Sequence, residues 1–367
     1  MRLEAIRIAN FRNHRLLEFE PGPSITVIHG NNGSGKTSIL EAVHFCALTR
    51  GFAGSADREC VMFGCDHFMI RSAFISDRGQ TSEVRVAYSA EKEKQVFVNE
   101  LEITSFSRHI GAIPCVTFTP SELAIVNASP SDRRRFIDSA ICQHDRRYLA
   151  DMMQYRRILQ QRNALLAGGV ETPSGQAGLE IWTEQMAVLA ASIVLARREF
   201  LRKFSVIFNG IHAWFPGQQE PSIEYHSTLG PVGEDDGVED LKSSFISRFR
   251  QLRNQEMLRR QTLAGPHRDD LRLFFDGHEI RKYASQGQQR SYLIAMKLAL
   301  RRYLYESAGE QPIMLLDDLF SELDEEVAGR IIESLASCGQ VLITSTDEKK
   351  SEGIMNHSLE KDTKTRS

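Results

Sequence analysis

A chain of 367 residues has room for roughly two to three domains and a full-sized core. With 41% hydrophobic and 25% charged residues and a formal net charge of −3, any nucleic-acid contact must come from local basic patches, because the global charge is mildly repulsive. No apolar run approaches the ~20 residues of a bilayer span, and the six scattered cysteines (46, 60, 65, 115, 142 and 338) form no C-x-x-C pair, which argues against a zinc site or a disulfide framework and suits a reducing cytoplasm.

The chain starts directly in strand: Leu3-Glu4-Ala5-Ile6-Arg7-Ile8 alternates, so no secretory leader is expected, and Leu17-Glu18-Phe19 alternates likewise. Ser24-Ile25-Thr26-Val27-Ile28-His29 reads as a buried strand and Ser38-Ile39-Leu40-Glu41-Ala42-Val43 as a helix. Glu83 to Tyr88 alternates again, and Gln95 to Leu101 predicts a short hairpin turning at Asn99-Glu100. Cys115-Val116-Thr117-Phe118 predicts a strand closed by Pro120.

From Ser121 to about Gln261 the period lengthens to that of helices. Ser131 is placed to cap a helix starting at Asp132, and the segment from Gly168 to Gly175 breaks the pattern. A long helix follows from about Leu179 to Phe208, with Ile181, Met186, Leu189, Ile193, Leu195 and Phe200 on its apolar face. Beyond the polar stretch from Pro216 to Gly237, a third helix runs from about Val238 to Arg260. These helices predict a short arm, without the sustained heptads of an extended coiled coil. Strand character returns at Leu271 to Phe275 with a turn at Asp276-Gly277, and a helix is expected from about Gly287 to Glu306. The continuous apolar run Pro312 to Leu316, ending in Asp317-Asp318, has the look of a buried parallel strand. A helix from Glu325 to Ala336 and a strand from Val341 to Thr344 complete the pattern, and the last twenty or so residues are polar enough to be expected disordered.

Between the strand at 24–29 and the helix at 38 lies Gly30-Asn31-Asn32-Gly33-Ser34-Gly35-Lys36-Thr37, a match to G-x-x-x-x-G-K-[ST] in the strand–loop–helix setting that such a loop requires. Glycines let successive N–H groups turn inward around an anion, and the helix N-terminus adds partial positive charge. Lys36 is placed to reach the β- and γ-phosphates of a nucleotide, and Thr37 to ligate Mg²⁺. Asp317, at the end of a neighbouring buried strand, is the expected Mg²⁺ partner, and Asp318 the group that positions or deprotonates an attacking water; on its own this pair reads equally as a helix N-cap. Ser285-Gln286-Gly287-Gln288 opens a helix, and Ser285 is either an anion-facing hydroxyl or an ordinary N-cap.

Taken in order, the phosphate loop, S-x-G-Q, apolar-Asp-Asp and Ser321-Glu322-Leu323-Asp324 resemble the ABC-type ATPase head of the SMC-like repair proteins. Within that group the chain is similar over nearly its whole length to the RecF family. Ile8-Ala9-Asn10-Phe11-Arg12-Asn13, Pro130 to Phe136 and Gly265-Pro266-His267-Arg268-Asp269-Asp270-Leu271 carry the same resemblance. The resemblance implies an α/β fold: a head of mixed sheet with flanking helices, split in sequence by a helical arm. The expected divisions are 1–120 and 263–346 for the head, 121–262 for the arm and 347–367 for a polar tail. It implies ATP and Mg²⁺ as cofactors and weak DNA-stimulated hydrolysis. Ser285, Gln286, Gly287 and Gln288 would meet the γ-phosphate on another subunit's loop, with Asp324 at the seam of an ATP-dependent homodimer. It also implies that Arg12 contacts nucleotide. The implied task is repair of gaps and stalled forks in the nucleoid, loading RecA with RecR and RecO and supporting the SOS response. Asp318 stands where many ABC ATPases carry Glu, and Arg50 to Asp57 lacks a Ser-His-Arg string expected of the family.

For DNA, residues 130–162 hold eight arginines against four aspartates, a local balance of +4, and residues 238–262 six basic against three acidic, +3. Three adjacent arginines cannot all point into a core, so Arg133, Arg134 and Arg135 are the candidate DNA contacts, to backbone more than to bases. Two other readings stay open: a P-loop kinase of a small molecule, and the ATPase subunit of a membrane transporter. Neither accounts for Ser285 and Asp324 together with the arm.

Overall fold

In the computed structural model the described residues are 1–52, 54–168, 170, 172–212, 220–233, 235–320, 325–348 and 353–359. Asp324 with Ser321-Glu322-Leu323, and Ala53, Gly169, Glu171 and Pro216, lie outside them. The described residues fall into two units, Met1–Leu123 with Ser285–Ser367, and Ala124–Ala284.

The first unit begins with β1 (Arg2–Phe11), β2 (His14–Phe19) and β3 (Ile25–His29), then α1 (Lys36–Leu48). β4 (His67–Ile75), β5 (Thr81–Ser89), β6 (Glu93–Val98), β7 (Leu101–Glu102) and β8 (Cys115–Phe118) follow. The hairpin at Asn99-Glu100 forms as expected; both residues take positive φ, 49° and 65°, as a type I′ turn demands. β4 was not anticipated, although Phe68, Ile70, Ser72 and Phe74 alternate inward.

The second unit contains α2 (Ala124–Asn127), α3 (Pro130–Cys142), α4 (Arg146–Gly168), α5 (Pro173–His212), β9 (Pro221–His226), α6 (Val238–Arg259), β10 (Asp270–Phe275), β11 (His278–Glu279) and α7 (Ile280–Tyr283). α3 starts two residues before the expected position, with Ser129 at the cap and Pro130 in the first turn, where its missing N–H costs nothing. On α5, Met186, Leu189, Ile193 and Phe200 are buried as expected, but Ile181 is exposed and Leu195 only partly covered. α5 is also long and apolar enough, by length and composition, to cross a membrane, contrary to the expectation that no such run exists. Its buried side chains, Phe200, Phe204, Phe208 and the charged Arg197 among them, belong to a helix that packs on α4, α6 and β9, the environment of a core helix.

β9 lies inside a stretch expected to be loop, and pairs antiparallel with β10 from Pro221–Phe275 to His226–Asp270. That pairing moves residues 263–284 out of the expected head half and into the second unit. The string Gly265 to Asp270 forms much of this unit's polar core. Arg197 binds Asp138 at 2.8 Å and the Pro266 carbonyl at 2.8 Å, while Asp269 accepts from Thr228 N–H at 2.8 Å and from Tyr225. Arg162 and Glu256, both buried, pair at 2.6 Å. Gly265 has φ +123°, and a Cβ there would lie 2.3 Å from the Tyr155 hydroxyl, so only glycine fits.

The chain returns to the first unit with α8 (Gln286–Ala308), β12 (Ile313–Leu316), α9 (Glu325–Ala336), β13 (Val341–Ser345) and β14 (Ile354–Ser358). β14 corrects the expectation of a disordered tail: it pairs in parallel with β3, from Ile354–Ile25 to Ser358–His29. Among its described residues the unit thus has a six-stranded antiparallel sheet, β2-β1-β4-β5-β6-β7, and a five-stranded parallel sheet, β14-β3-β13-β12-β8. α1 packs against strands of both sheets and is buried all along from Ile39 to Leu48, so it is covered on every side, unlike a surface helix.

Candidate functional site

β3, β13 and β12 lie side by side, all parallel, and their carboxyl ends point the same way. In open α/β sheets ligands bind beyond such ends. β3 feeds the loop of residues 30–35, whose Gly30, Gly33 and Gly35 take φ of 152°, 77° and 99°. A Cβ on Gly35 would fall 2.4 Å from the His14 ring and 2.6 Å from the Asn13 amide, so the loop closes against the end of the first hairpin only because that position is glycine. His14 also contacts the Gly35 carbonyl at 3.0 Å, and Ser38 Oγ donates to Asn13 at 3.1 Å. Asn31 and Asn32 form the exposed crown of the loop.

Lys36 Nζ donates to the Gly30 carbonyl at 2.6 Å and to the Asn31 carbonyl at 3.0 Å, curling its charge over the loop. Thr37 Oγ1 donates to Asp317 Oδ1 at 2.8 Å, bringing together two residues 280 positions apart. Thr344 Oγ1, at the end of β13, donates to the same oxygen at 2.7 Å and accepts the Asp318 N–H at 2.9 Å. Burial is the main influence on the Asp317 carboxyl, pushing it above the usual aspartate range; the two hydroxyls and Lys36 pull the other way. Asp318 takes φ 50°, unusual for a side chain with a Cβ, and its carbonyl accepts Arg290 of α8 at 3.0 Å.

These groups line one cleft of about 770 Å³, which also includes Arg12, Asn13, Arg58, Val61, Phe63 and Pro120. The residues suit a polyphosphate with a divalent cation. An ammonium and a helix N-terminus converge with a hydroxyl and a carboxylate. Among the described residues the buried Ser34 hydroxyl lacks a hydrogen-bond partner, and a Cβ on Gly33 would meet only open space.

The other expected site residues divide. Arg12 borders the cleft, but its guanidinium is forked onto buried Glu41 of α1 at 2.7 and 2.8 Å and also reaches the Glu59 carbonyl and Ser55. Ser285 caps α8 in a reciprocal box, accepting the Gln288 N–H at 3.3 Å while the Gln288 side chain accepts the Ser285 N–H at 2.9 Å. None of Ser285, Gln286, Gly287 and Gln288 lines the cleft. In the second unit, Arg133 corrects its expectation as a DNA contact: it is buried, doubly bonded to Asp270 at 2.8 and 3.0 Å. Arg134 is half-buried, donating to the Asp269 carbonyl at 2.7 Å; burial lowers its basicity. Only Arg135 is well exposed, at 63% of its side chain.

Sequence reasoning missed Thr344, Asn13 and His14. Thr344 had a legible signal, a run of hydroxyls (Thr344-Ser345-Thr346) straight after the apolar Val341-Leu342-Ile343.

A family model described as an AAA domain matches residues 5–184. The chain is 56% identical over 360 residues, 98% of each protein, to the DNA replication and repair protein RecF of Chlorobaculum tepidum. This chain belongs to the RecF family. The RecF of Chloroherpeton thalassium is 38% identical over 98% of both chains. Among solved structures, the recombination mediator protein RecF-ATPrS in the RecFOR pathway superposes with a TM-score of 0.90 at 30% identity, covering 97% of this chain and 95% of that one. The corresponding RecF-ATP structure gives 0.89, also at 30% identity. An Smc head matches at a TM-score of 0.53 and 13% identity, a likeness of fold alone. The family's head fold is therefore the fold of this chain, a P-loop ATPase head with a helical insertion.

Proposed function

We propose that this chain is an ATP-switched DNA-binding protein of recombinational repair, acting at gaps and stalled forks. The observation that carries the reading is the cluster of Lys36, Thr37, Asp317 and Thr344 at the carboxyl ends of three adjacent parallel strands. Two solved relatives of the family carry ATP or ATPrS in their descriptions.

In this reading Lys36 and the loop amides hold the phosphates, and Thr37 and Asp317 hold Mg²⁺. Mg²⁺ held by these two residues would supply neutralisation of the charge that develops on the phosphoryl oxygens. Thr344 fixes the carboxylate of Asp317 by hydrogen bonding and the backbone of Asp318 by accepting its N–H, leaving Asp318 to orient the water and accept its proton. Ser285 to Gln288, set apart from the cleft of their own chain, supply the opposite wall from a second copy, and Asp324 lies at the seam. ATP therefore closes a homodimer on DNA, and slow, DNA-stimulated hydrolysis opens it. Arg135, with Arg250, Arg259 and Arg260 exposed on and just after α6, supplies phosphate contacts. RecR, RecO and RecA are the partners, and the nucleoid-associated cytoplasm the location, that family membership suggests; support of the SOS response follows from the same task.

The test is the molecular mass in solution with and without ATP, Mg²⁺ and DNA. Wild type should shift from monomer to dimer with ATP, and Lys36→Ala should remain monomeric. Asp318→Asn should dimerise yet turn over at least tenfold more slowly. A wild-type protein that stays monomeric at micromolar concentration under all conditions rules the clamp out.

A further inference from the structure

Part of the cleft wall is built by a short segment. A 3₁₀ turn at Asp57–Cys60 is followed by Val61, Met62, Phe63, Gly64 and Cys65. Backbone bonds strap it to the end of β1: Arg12 N–H to Cys60 O at 2.7 Å, Met62 N–H to Asn10 O at 2.8 Å, and a bridge between Phe11 and Val61. The Arg12 guanidinium adds a bond to the Glu59 carbonyl at 3.1 Å. Beyond the strap the chain reverses in a turn closed by Cys65 N–H to Met62 O at 3.0 Å, with Gly64 at φ +83° in the position that requires positive φ. Phe63 occupies the tip. Its ring is fully exposed, at 102%, yet it lines the cleft and is the sole aromatic among the described residues that do so.

A fixed turn that holds a phenyl ring out into a polar cleft has no role in the core, since the ring covers nothing. It does supply what the phosphate end lacks. Lys36, Thr37 and Asp317 serve charge and metal, whereas the heterocycle of a nucleotide needs a flat apolar partner, and base–aromatic stacking provides it. Val61 adds an apolar neighbour on the same wall. We propose that Phe63 is the base-stacking residue of the cleft, receiving the purine of a nucleoside triphosphate whose phosphates lie on the Gly30–Thr37 loop. Stacking reads the π-face and not the hydrogen-bonding edge, so Phe63 raises affinity for ATP and GTP alike. This inference rests on the ATP reading of the same cleft.

The experiment is calorimetric binding of ATP, GTP and inorganic tripolyphosphate, each with Mg²⁺, to wild type, Phe63→Ala, Phe63→Trp and Lys36→Ala. Phe63→Ala should weaken ATP and GTP by about 5- to 100-fold, the range for deleting one base–aromatic stack. It should leave tripolyphosphate within about twofold of wild type by the same logic, since that ligand has no base to stack. Phe63→Trp should restore nucleotide binding, and Lys36→Ala should lose all three ligands. Unchanged ATP affinity in Phe63→Ala overturns the proposal while leaving the phosphate site intact. An equal loss of tripolyphosphate overturns it too, because the turn would then be shaping the loop. Repeating the titration in the Ser285→Arg background separates stacking from subunit contact: a Phe63 effect that vanishes there also overturns it. If wild type binds neither nucleotide nor tripolyphosphate, the ATP reading itself fails and this inference goes with it.

Discussion

Two hydroxyls, from Thr37 and Thr344, converge on one oxygen of Asp317, and the backbone N–H of Asp318 returns to Thr344. Thr37 and Asp317 were legible in the sequence because their spacing to Lys36 and to an apolar strand is fixed by what a phosphate and a cation need. Thr344 left a run of hydroxyls as a signal, but its role depends on which strand lies between β3 and β12, and pairing order is not written in any local window. The same limit applies to the arginines of α3. Composition marked a basic cluster but could not say which members were already paired. Arg133→Ala leaves Asp270 partly buried without its partner and should cost about 2–4 kcal/mol of unfolding free energy. Arg135→Ala should leave stability within about 0.5 kcal/mol while lowering the salt dependence of DNA binding by about one unit of slope. Denaturant melts and a salt titration of DNA affinity read both; a fall in DNA affinity for Arg133→Ala without loss of stability would reverse the assignment.

At the level of elements, most strands and helices follow from period and punctuation, and two of the misses share a cause. β9 and β14 are short, carry polar residues, and sit in stretches whose composition resembles loop. What makes them strands is a waiting edge, β10 for one and β3 for the other. Tertiary pairing overrode weak local propensity. α8 is the opposite case. Ser285, Gln288 and the C-terminal Gly309 mark its two ends in the sequence, and the structure places the caps there. Its start is therefore a rigid, exposed presentation of Ser285. Ser285→Arg should cost about 1 kcal/mol for the lost cap. It should bind ATP with near wild-type affinity, since the residue is outside its own chain's cleft, and should fail to dimerise. Analytical ultracentrifugation with ATP decides; a normal dimer would remove Ser285 from the subunit interface.

For the molecule as a whole, the expected boundary at 262 fell short because the Gly265–Asp270 string resembles a loop leading into the head, while its Pro266 carbonyl and its Asp269 and His267 side chains complete a buried network with Arg197, Tyr225 and Tyr155. Each unit also encloses a histidine held neutral. Burial lowers His44 to about 3 in the first unit, helped by Arg50 and Lys297. Burial, with Arg268, Arg134 and Arg162 nearby, lowers His267 to about 4 in the second. Unfolded, both take up a proton near 6.5. Their folded values are depressed, so below about pH 6.5 the unfolded chain binds more protons and stability is lost progressively toward pH 4. Each histidine contributes up to about 1.4 kcal/mol per pH unit in that window. Urea unfolding at pH 7.5 and 5.0 should show the loss, and His267→Gln should flatten the slope; an equal slope in that variant would locate the acid sensitivity elsewhere.

The parallel sheet has a consequence for biosynthesis. β3 emerges from the ribosome early, yet its two neighbours, β13 and β14, come after every other described strand. The second unit is one uninterrupted segment and can acquire its contacts while translation continues. The phosphate loop cannot settle until β13 and β14 have been synthesised and slotted in on either side of β3, a closure of very long sequence separation and correspondingly slow. A nascent chain interrupted anywhere before that point would carry a folded insertion and an unassembled nucleotide loop. On the proposed function, such a chain would keep its exposed arginines for DNA while escaping control by ATP.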